Sequence, residues 1–107
     1  MAHFLIYKRP VEVTSYSVDF SDLLTTPDTI LDINLSRVVV VDSAGVDQST
    51  YFVQKTTFSG LVMTAILQNG LDSEDYIVNF NGVGNSTSQL YNRILEVRVR
   101  SKLAGNI

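Results

Sequence analysis

The chain has 107 residues, one histidine, no cysteine or tryptophan, and eight Lys and Arg against eleven Asp and Glu, for a formal charge of −3. That length suits a single domain, the missing cysteine excludes a disulfide framework, a thiol nucleophile and a cysteine zinc site, and the acidic balance disfavours a general nucleic-acid surface. The longest apolar runs, Phe4 to Tyr7 and Val38 to Val41, are four residues each, far short of the roughly 20 that cross a bilayer, and no signal-peptide pattern opens the sequence, so neither nucleic acid nor membrane is an expected partner.

The first ten residues, MAHFLIYKRP, carry a dense apolar patch closed by Lys8, Arg9 and Pro10. They read either as a first edge strand packed on the domain's own sheet or as an N-terminal arm that adds to a neighbouring subunit's sheet, where backbone hydrogen bonds supply affinity and alternate side chains specificity. Next, Tyr16, Val18 and Phe20 alternate with Ser15, Ser17 and Asp19, the period of a half-buried strand. TTPDT at 25–29 places Asp after Pro27 and predicts a turn.

From Ile30, the residues Leu31, Ile33 and Leu35 alternate with Asp32, Asn34 and Ser36, and VVVV follows at 38–41. One bent strand or two strands with a bulge fit this run. DSAGVDQS at 42–49 predicts a polar loop, and TYFVQKTT and LVMTAILQN read as two strands split by a hairpin at Ser59-Gly60.

The turn cluster QNGLDSED at 68–75 precedes a strand in which Tyr76, Val78 and Phe80 share one face, and NGVGNSTSQ at 81–89 reads as a flexible loop. In the last strand Tyr91, Leu95, Val97 and Val99 face one way and Asn92, Glu96, Arg98 and Arg100 the other, with Arg93 and Ile94 blurring the phase. Six to eight short strands without an amphipathic helix predict an all-β antiparallel sandwich or small barrel. The expected organisation is an arm or edge strand at 1–10, a sandwich at 11–101 and a small polar tail at 102–107.

Chemistry-bearing residues are sparse in the pattern. His3 stands without a triad partner or zinc-ligand spacing. Asp19, Asp22, Asp28 and Asp32 gather around the first turn but lack calcium-loop spacing, so Asp22 and Asp28 read as turn-shaping residues and Asp19 and Asp32 as solvent-face ones. Asp72, Glu74 and Asp75 read as solvated turn residues, and Gly82-x-Gly84 lies outside the strand-to-helix setting of a phosphate loop. No enzymatic activity and no cofactor or metal is expected. Asp72 and Tyr76, four apart before a strand, match the corner at which a tyrosine hydroxyl ties down a loop in immunoglobulin-like sandwiches.

Tyr16-x-x-Asp19-Phe20, Leu23-Leu24 and Asp28-x-Ile30 resemble the opening of the fiber-tail adaptor family, small structural proteins of tailed bacteriophages, in which a Y-x-x-D-[W/F] strand precedes a leucine and a D-x-I turn. Gly70, Tyr76 and Val78 resemble the family's later glycine and Y-x-V strand, and LEVRVR its last strand, so the likeness runs over about 10–101. The family's tryptophans are missing here, and NGVGNSTSQ stands where a threonine-rich T-x-x-G-R-like turn is usual. The resemblance implies an immunoglobulin-like β-sandwich, assembled in the host cytoplasm and present in several copies per virion near the neck or tail. There it would join fibers or collar to portal, neck or tail proteins.

The residues expected to bind a partner are Phe4, Leu5, Ile6 and Tyr7, flanked by Lys8 and Arg9, together with Arg98 and Arg100, whose charges suit an acidic protein surface. The alternatives are a capsid decoration or head-completion protein, or a carbohydrate-binding module using Tyr51, Phe52, Phe58 and Tyr91.

Overall fold

In a computed structural model, residues 3–24 and 28–101 are described, the side chain of His3 excepted. Pro27 of the expected turn and the tail at 102–107 lie outside them. The described residues form strands β1 (His3–Lys8), β2 (Thr14–Asp19), β3 (Arg37–Asp42), β4 (Val53–Ser59), β5 (Val62–Leu67), β6 (Asp75–Val83) and β7 (Leu90–Val99), and one helical turn, α1 (Ser49–Phe52). Two sheets result, ordered β1-β7-β6-β3 and β2-β5-β4.

The chain is an immunoglobulin-like β-sandwich. Taken against the constant-type arrangement, β2-β5-β4 occupies the places of strands B-E-D and β3-β6-β7 those of C-F-G. β1 lies on the second of these sheets, and its pairing with β7 is parallel while every other strand pair is antiparallel. A parallel neighbour requires the chain to leave the sheet after β1. A turn closed by the Glu12 N–H on the Arg9 carbonyl at 3.1 Å, with Pro10 in its second position, carries it across to β2.

The period-two pattern does what burial requires of it. Val18, Val40, Met63, Ala65, Leu67, Tyr76, Val78, Phe80, Leu95, Val97 and Val99 fill the space between the sheets, where each fully buried large side chain contributes about 1.5–3 kcal/mol. Strand β7 keeps its alternation unbroken. Arg93 stands opposite Phe80 on the inward phase, at the end of the sandwich, where its guanidinium reaches Asp22 at 2.7 Å, while Ile94 takes the outer face.

Two expected strands begin late, β3 only at Arg37 and β4 only at Val53. Ile30–Ser36 forms turns because Asp32 bonds its own successors: its Oδ1 accepts the Asn34 and Leu35 N–H groups at 2.9 and 3.2 Å, and its carbonyl accepts that of Ser36 at 2.8 Å. Of the alternating residues there, Leu31 is buried whereas Ile33 and Leu35 are exposed. Tyr51 and Phe52 belong to α1 because Asp47 and Ser49 bend the chain. Asp47 Oδ1 accepts the Ser49 N–H at 2.8 Å, and Ser49 Oγ accepts the Val40 N–H at 2.8 Å. Phe52 then drops into the core and stacks on Tyr76, ring centroids 4.5 Å apart.

Tyr76 makes the tyrosine corner, with its hydroxyl accepting the Leu71 N–H at 3.0 Å. Asp72 takes no part in it, binding the Ser101 N–H and hydroxyl at 2.7 and 2.8 Å instead. The hairpin at Ser59-Gly60 forms as expected, with Gly60 at φ +59°. Gly82 and Gly84 are buried and are not a flexible loop: β6 runs through Gly82, and a Cβ there would lie 2.9 Å from the Phe20 ring.

Two substitutions test this packing. Tyr76→Phe removes the acceptor of a part-buried N–H and is expected to lower the urea-unfolding free energy by about 1–2 kcal/mol. Gly82→Ala, which forces the Phe20 ring to move, is expected to cost about 1–3 kcal/mol in the same measurement.

Candidate interaction surface

A two-sheet sandwich leaves four strand edges whose backbone groups lack a neighbour, and proteins usually blunt such edges with charge, bulges or covering loops. On β3 the 42–49 segment covers the C-terminal half of the edge: besides the Ser49 bond, the Val40 carbonyl accepts the Gln48 N–H at 2.7 Å and the Asp42 N–H bonds the Val46 carbonyl at 3.0 Å. β4 has a register shift between Val53 and Lys55 and an exposed Lys55. β2 ends on exposed Asp19, whose Oδ1 accepts the Ser21 N–H at 2.9 Å and which therefore anchors the turn as well as facing solvent.

β1 differs from the other three. Its register with β7 sets Phe4, Ile6 and Lys8 opposite inward-facing Leu95, Val97 and Val99, and Leu5 and Tyr7 opposite outward-facing Glu96 and Arg98. Phe4, Leu5 and Tyr7 are nevertheless 47%, 45% and 54% exposed, and no charged side chain points outward between Phe4 and Lys8. Beside this strand lies a groove of about 430 Å³ between β1 and the chain leading into β2, lined by Ile6 and Tyr7 on one side and by residues 12–16 on the other. The Phe4 and Tyr16 rings bridge the sheets with centroids 6.4 Å apart.

The residues expected to bind a partner thus divide. Phe4, Leu5 and Tyr7 are accessible, and Ile6 packs against the core. Lys8 is a correction: it is fully buried and cannot flank a docking surface with its charge. Its inward phase sends Nζ to the carbonyls of Arg9 and Asn69 and places it 5.7 Å from the Phe52 ring centroid. Burial pulls its amine below the ordinary lysine pKa, with Glu12 opposing more weakly.

Arg9 is half-buried in the turn, where its backbone N–H donates to Glu12 Oε1 at 2.7 Å. Arg98 and Arg100 are also engaged within the domain. Arg98 Nε donates to Glu96 Oε2 at 3.0 Å, a bond that, with a further one to Tyr7, raises its pKa. Arg100 pairs with Asp75 at 2.9 Å and donates to the Val99 carbonyl at 2.8 Å.

The acids around the first turn disperse. Asp28 is buried, with its carboxylate accepting the N–H groups of Ser86 and Thr87 at 2.8 and 3.0 Å and the Thr87 hydroxyl at 2.6 Å. It lies so close over Gly84 that a Cβ there would collide with it. Among the described residues, no three His, Cys, Asp or Glu side chains converge as a metal site, and no helix is long and apolar enough to cross a membrane. Glu74 meets the Ser43 hydroxyl. Of the aromatic residues considered for glycans, Phe52 is buried and Phe58 and Tyr91 are partly buried against the core. Tyr51 is exposed, with its hydroxyl accepting the Gly70 N–H at 3.2 Å, so the four do not form a flat exposed platform.

Sequence reasoning missed the groove and the grip of Asp28 on 86–87, since both join residues far apart in the chain. No family model, curated protein or solved structure matches this chain.

The hydrogen bond from Thr87 most strongly, and those from Ser86 and Thr87 N–H against an opposing desolvation, hold the Asp28 carboxyl below the usual carboxylate range. A depressed folded-state pKa contributes stability above the unfolded value of about 3.9 that is lost as pH falls through the folded value. The melting temperature should therefore drop between about pH 5 and 2. Asp28→Asn should melt lower at neutral pH and show a shallower acid limb when thermal unfolding is followed across that range.

Proposed function

We propose that this protein is a non-enzymatic structural adaptor of a tailed-bacteriophage virion, a rigid sandwich joining fibers or collar to the neck or tail. The observation that carries the reading is the β1 edge, an apolar strand without outward charge beside an open groove, on a domain whose other three edges are covered, bulged or charged. Such an edge is a template for main-chain pairing with another polypeptide. The Tyr16–Ile30 resemblance adds independent weight, and the fold accounts for its residues in physical terms. Tyr16 and Phe20 pack inward, Asp19 stops the strand and Asp28 seats the 86–87 loop.

On this reading β1 is a subunit contact, and the sandwich sets the distance between the bodies it joins. The test is the composition of virions purified from the source of the chain, with gold labelling of the protein. Several copies at the neck or tail are expected, and Leu5→Lys with Tyr7→Lys should reduce incorporation by roughly tenfold, since a lysine pair on an edge opposes strand pairing. Absence of the protein from purified particles, or label spread over the head shell, would sink the adaptor reading.

A further inference from the structure

We infer that the occupant of the β1 edge is β1 of a second copy, paired antiparallel about Ile6 so that two four-stranded sheets become one continuous sheet. This rests on the reading of β1 as a subunit contact and names the partner.

The argument begins with charge. Two copies of a chain with net charge −3 repel one another wherever like charges meet, and pairing is least opposed where the facing strands are uncharged. β1 meets that condition because its one internal cation, Lys8, is buried on the inward phase and bonded to two carbonyls. β2 ends on exposed Asp19 and β4 carries exposed Lys55, so self-pairing along either sets a charged residue on the paired edge, and β3 has the edge groups of Val40 and Asp42 already bonded.

Side-chain alternation then restricts the register. Residues opposite each other in an antiparallel pair share a face, so a twofold axis can pass through Leu5 or Ile6 but not between them. On β7, Glu96 adjoins Leu5 and Arg98 adjoins Tyr7. About Leu5, the row containing Glu96 would meet its own copy, acid in line with acid. About Ile6, Leu5 lies opposite the second copy's Tyr7, and the row ending on Glu96 runs into the row ending on Arg98. Glu96 and Arg98 already pair within each copy at 3.0 Å, and about Ile6 the two pairs line up head to tail, opposite charges in each row, which favours the second arrangement, in which half-exposed Leu5 and Tyr7 cover one another on the outer face. Phe4 extends its contacts toward the second copy at the margin of the groove. The contact is isologous, as a closed twofold dimer requires.

Sedimentation velocity over a concentration series tests the dimer. The wild-type protein should shift from monomer to dimer as concentration rises, and a protein that stays monomeric up to about 1 mM, the weak end of specific association, overturns the inference. Leu5→Lys with Tyr7→Lys, and separately Leu5→Glu with Tyr7→Glu, should each weaken self-association by roughly tenfold or more while leaving circular dichroism unchanged. Mixing these two variants should restore dimer, because each lysine then faces a glutamate. Failure of the mixture to associate, or undiminished dimer in either variant alone, rejects β1 pairing.

The register is read by oxidation, which is clean in a chain without cysteine. Leu5→Cys mixed with Tyr7→Cys should cross-link more than either alone, whereas self-cross-linking of Leu5→Cys would reject the Ile6-centred pairing. A wild-type monomer whose double-lysine variant still drops out of virions would discard the dimer and leave the adaptor reading standing. A β1 dimer absent from virions would do the reverse.

Discussion

The unpaired backbone groups along the edges of a sandwich are the constraint around which this protein is arranged. Each N–H and C=O left without a strand must meet water, a side chain or another chain, and the molecule deals with its four edges in four ways. The 42–49 segment turns back onto β3 and bonds the free groups of Val40 and Asp42, at the cost of bending Tyr51 and Phe52 out of an extended path. That bend delivers Phe52 onto Tyr76, so covering an edge also completes the core. β4 interrupts its ladder with a bulge, β2 ends on a charge, and β1 keeps a plain apolar edge. The contrast gives β1 its significance, since a half-exposed leucine or tyrosine on a surface is ordinary by itself.

Buried polar groups do the remaining positioning. Lys8 holds the end of β1 to the turn at Asn69, and Asp28 holds the start of the 28–36 segment to the loop between β6 and β7. Both would be costly if unpartnered, and both are surrounded by hydrogen-bonding groups. Glycine makes the second possible, because only a residue without Cβ lets the Asp28 carboxylate lie against Gly84. Two residues earlier, near the end of β6, Gly82 does the same for the Phe20 ring. The two glycines thus receive Phe20 and Asp28, two residues of the Tyr16–Ile30 stretch.

Much of the fold was legible in the residues. The alternations at Tyr16–Phe20, Tyr76–Phe80 and Tyr91–Val99 each became a strand with the predicted face inward, and Ser59-Gly60 became the hairpin. Ile30–Leu35 failed for a local reason, since Asp32 offers its own backbone neighbours a better hydrogen-bonding partner than a second strand. Tyr51 and Phe52 failed for a tertiary one, as Ser49 bonds Val40 in a different strand. The interaction surface was half legible. The apolar residues of 4–7 were identifiable, but not which of them remain exposed, nor that Arg98 and Arg100 bond within the domain.

By itself the sequence determined the all-β class, the strand periods and the apolar character of the first strand, because side-chain alternation is a property of each segment alone. Only the tertiary structure decided that β1 runs parallel to β7, that Lys8 is buried, and that a groove opens between Ile6 and Tyr16. Each of these depends on which distant strand becomes the neighbour, and that is set by the whole chain's closure around one core and by no segment within it.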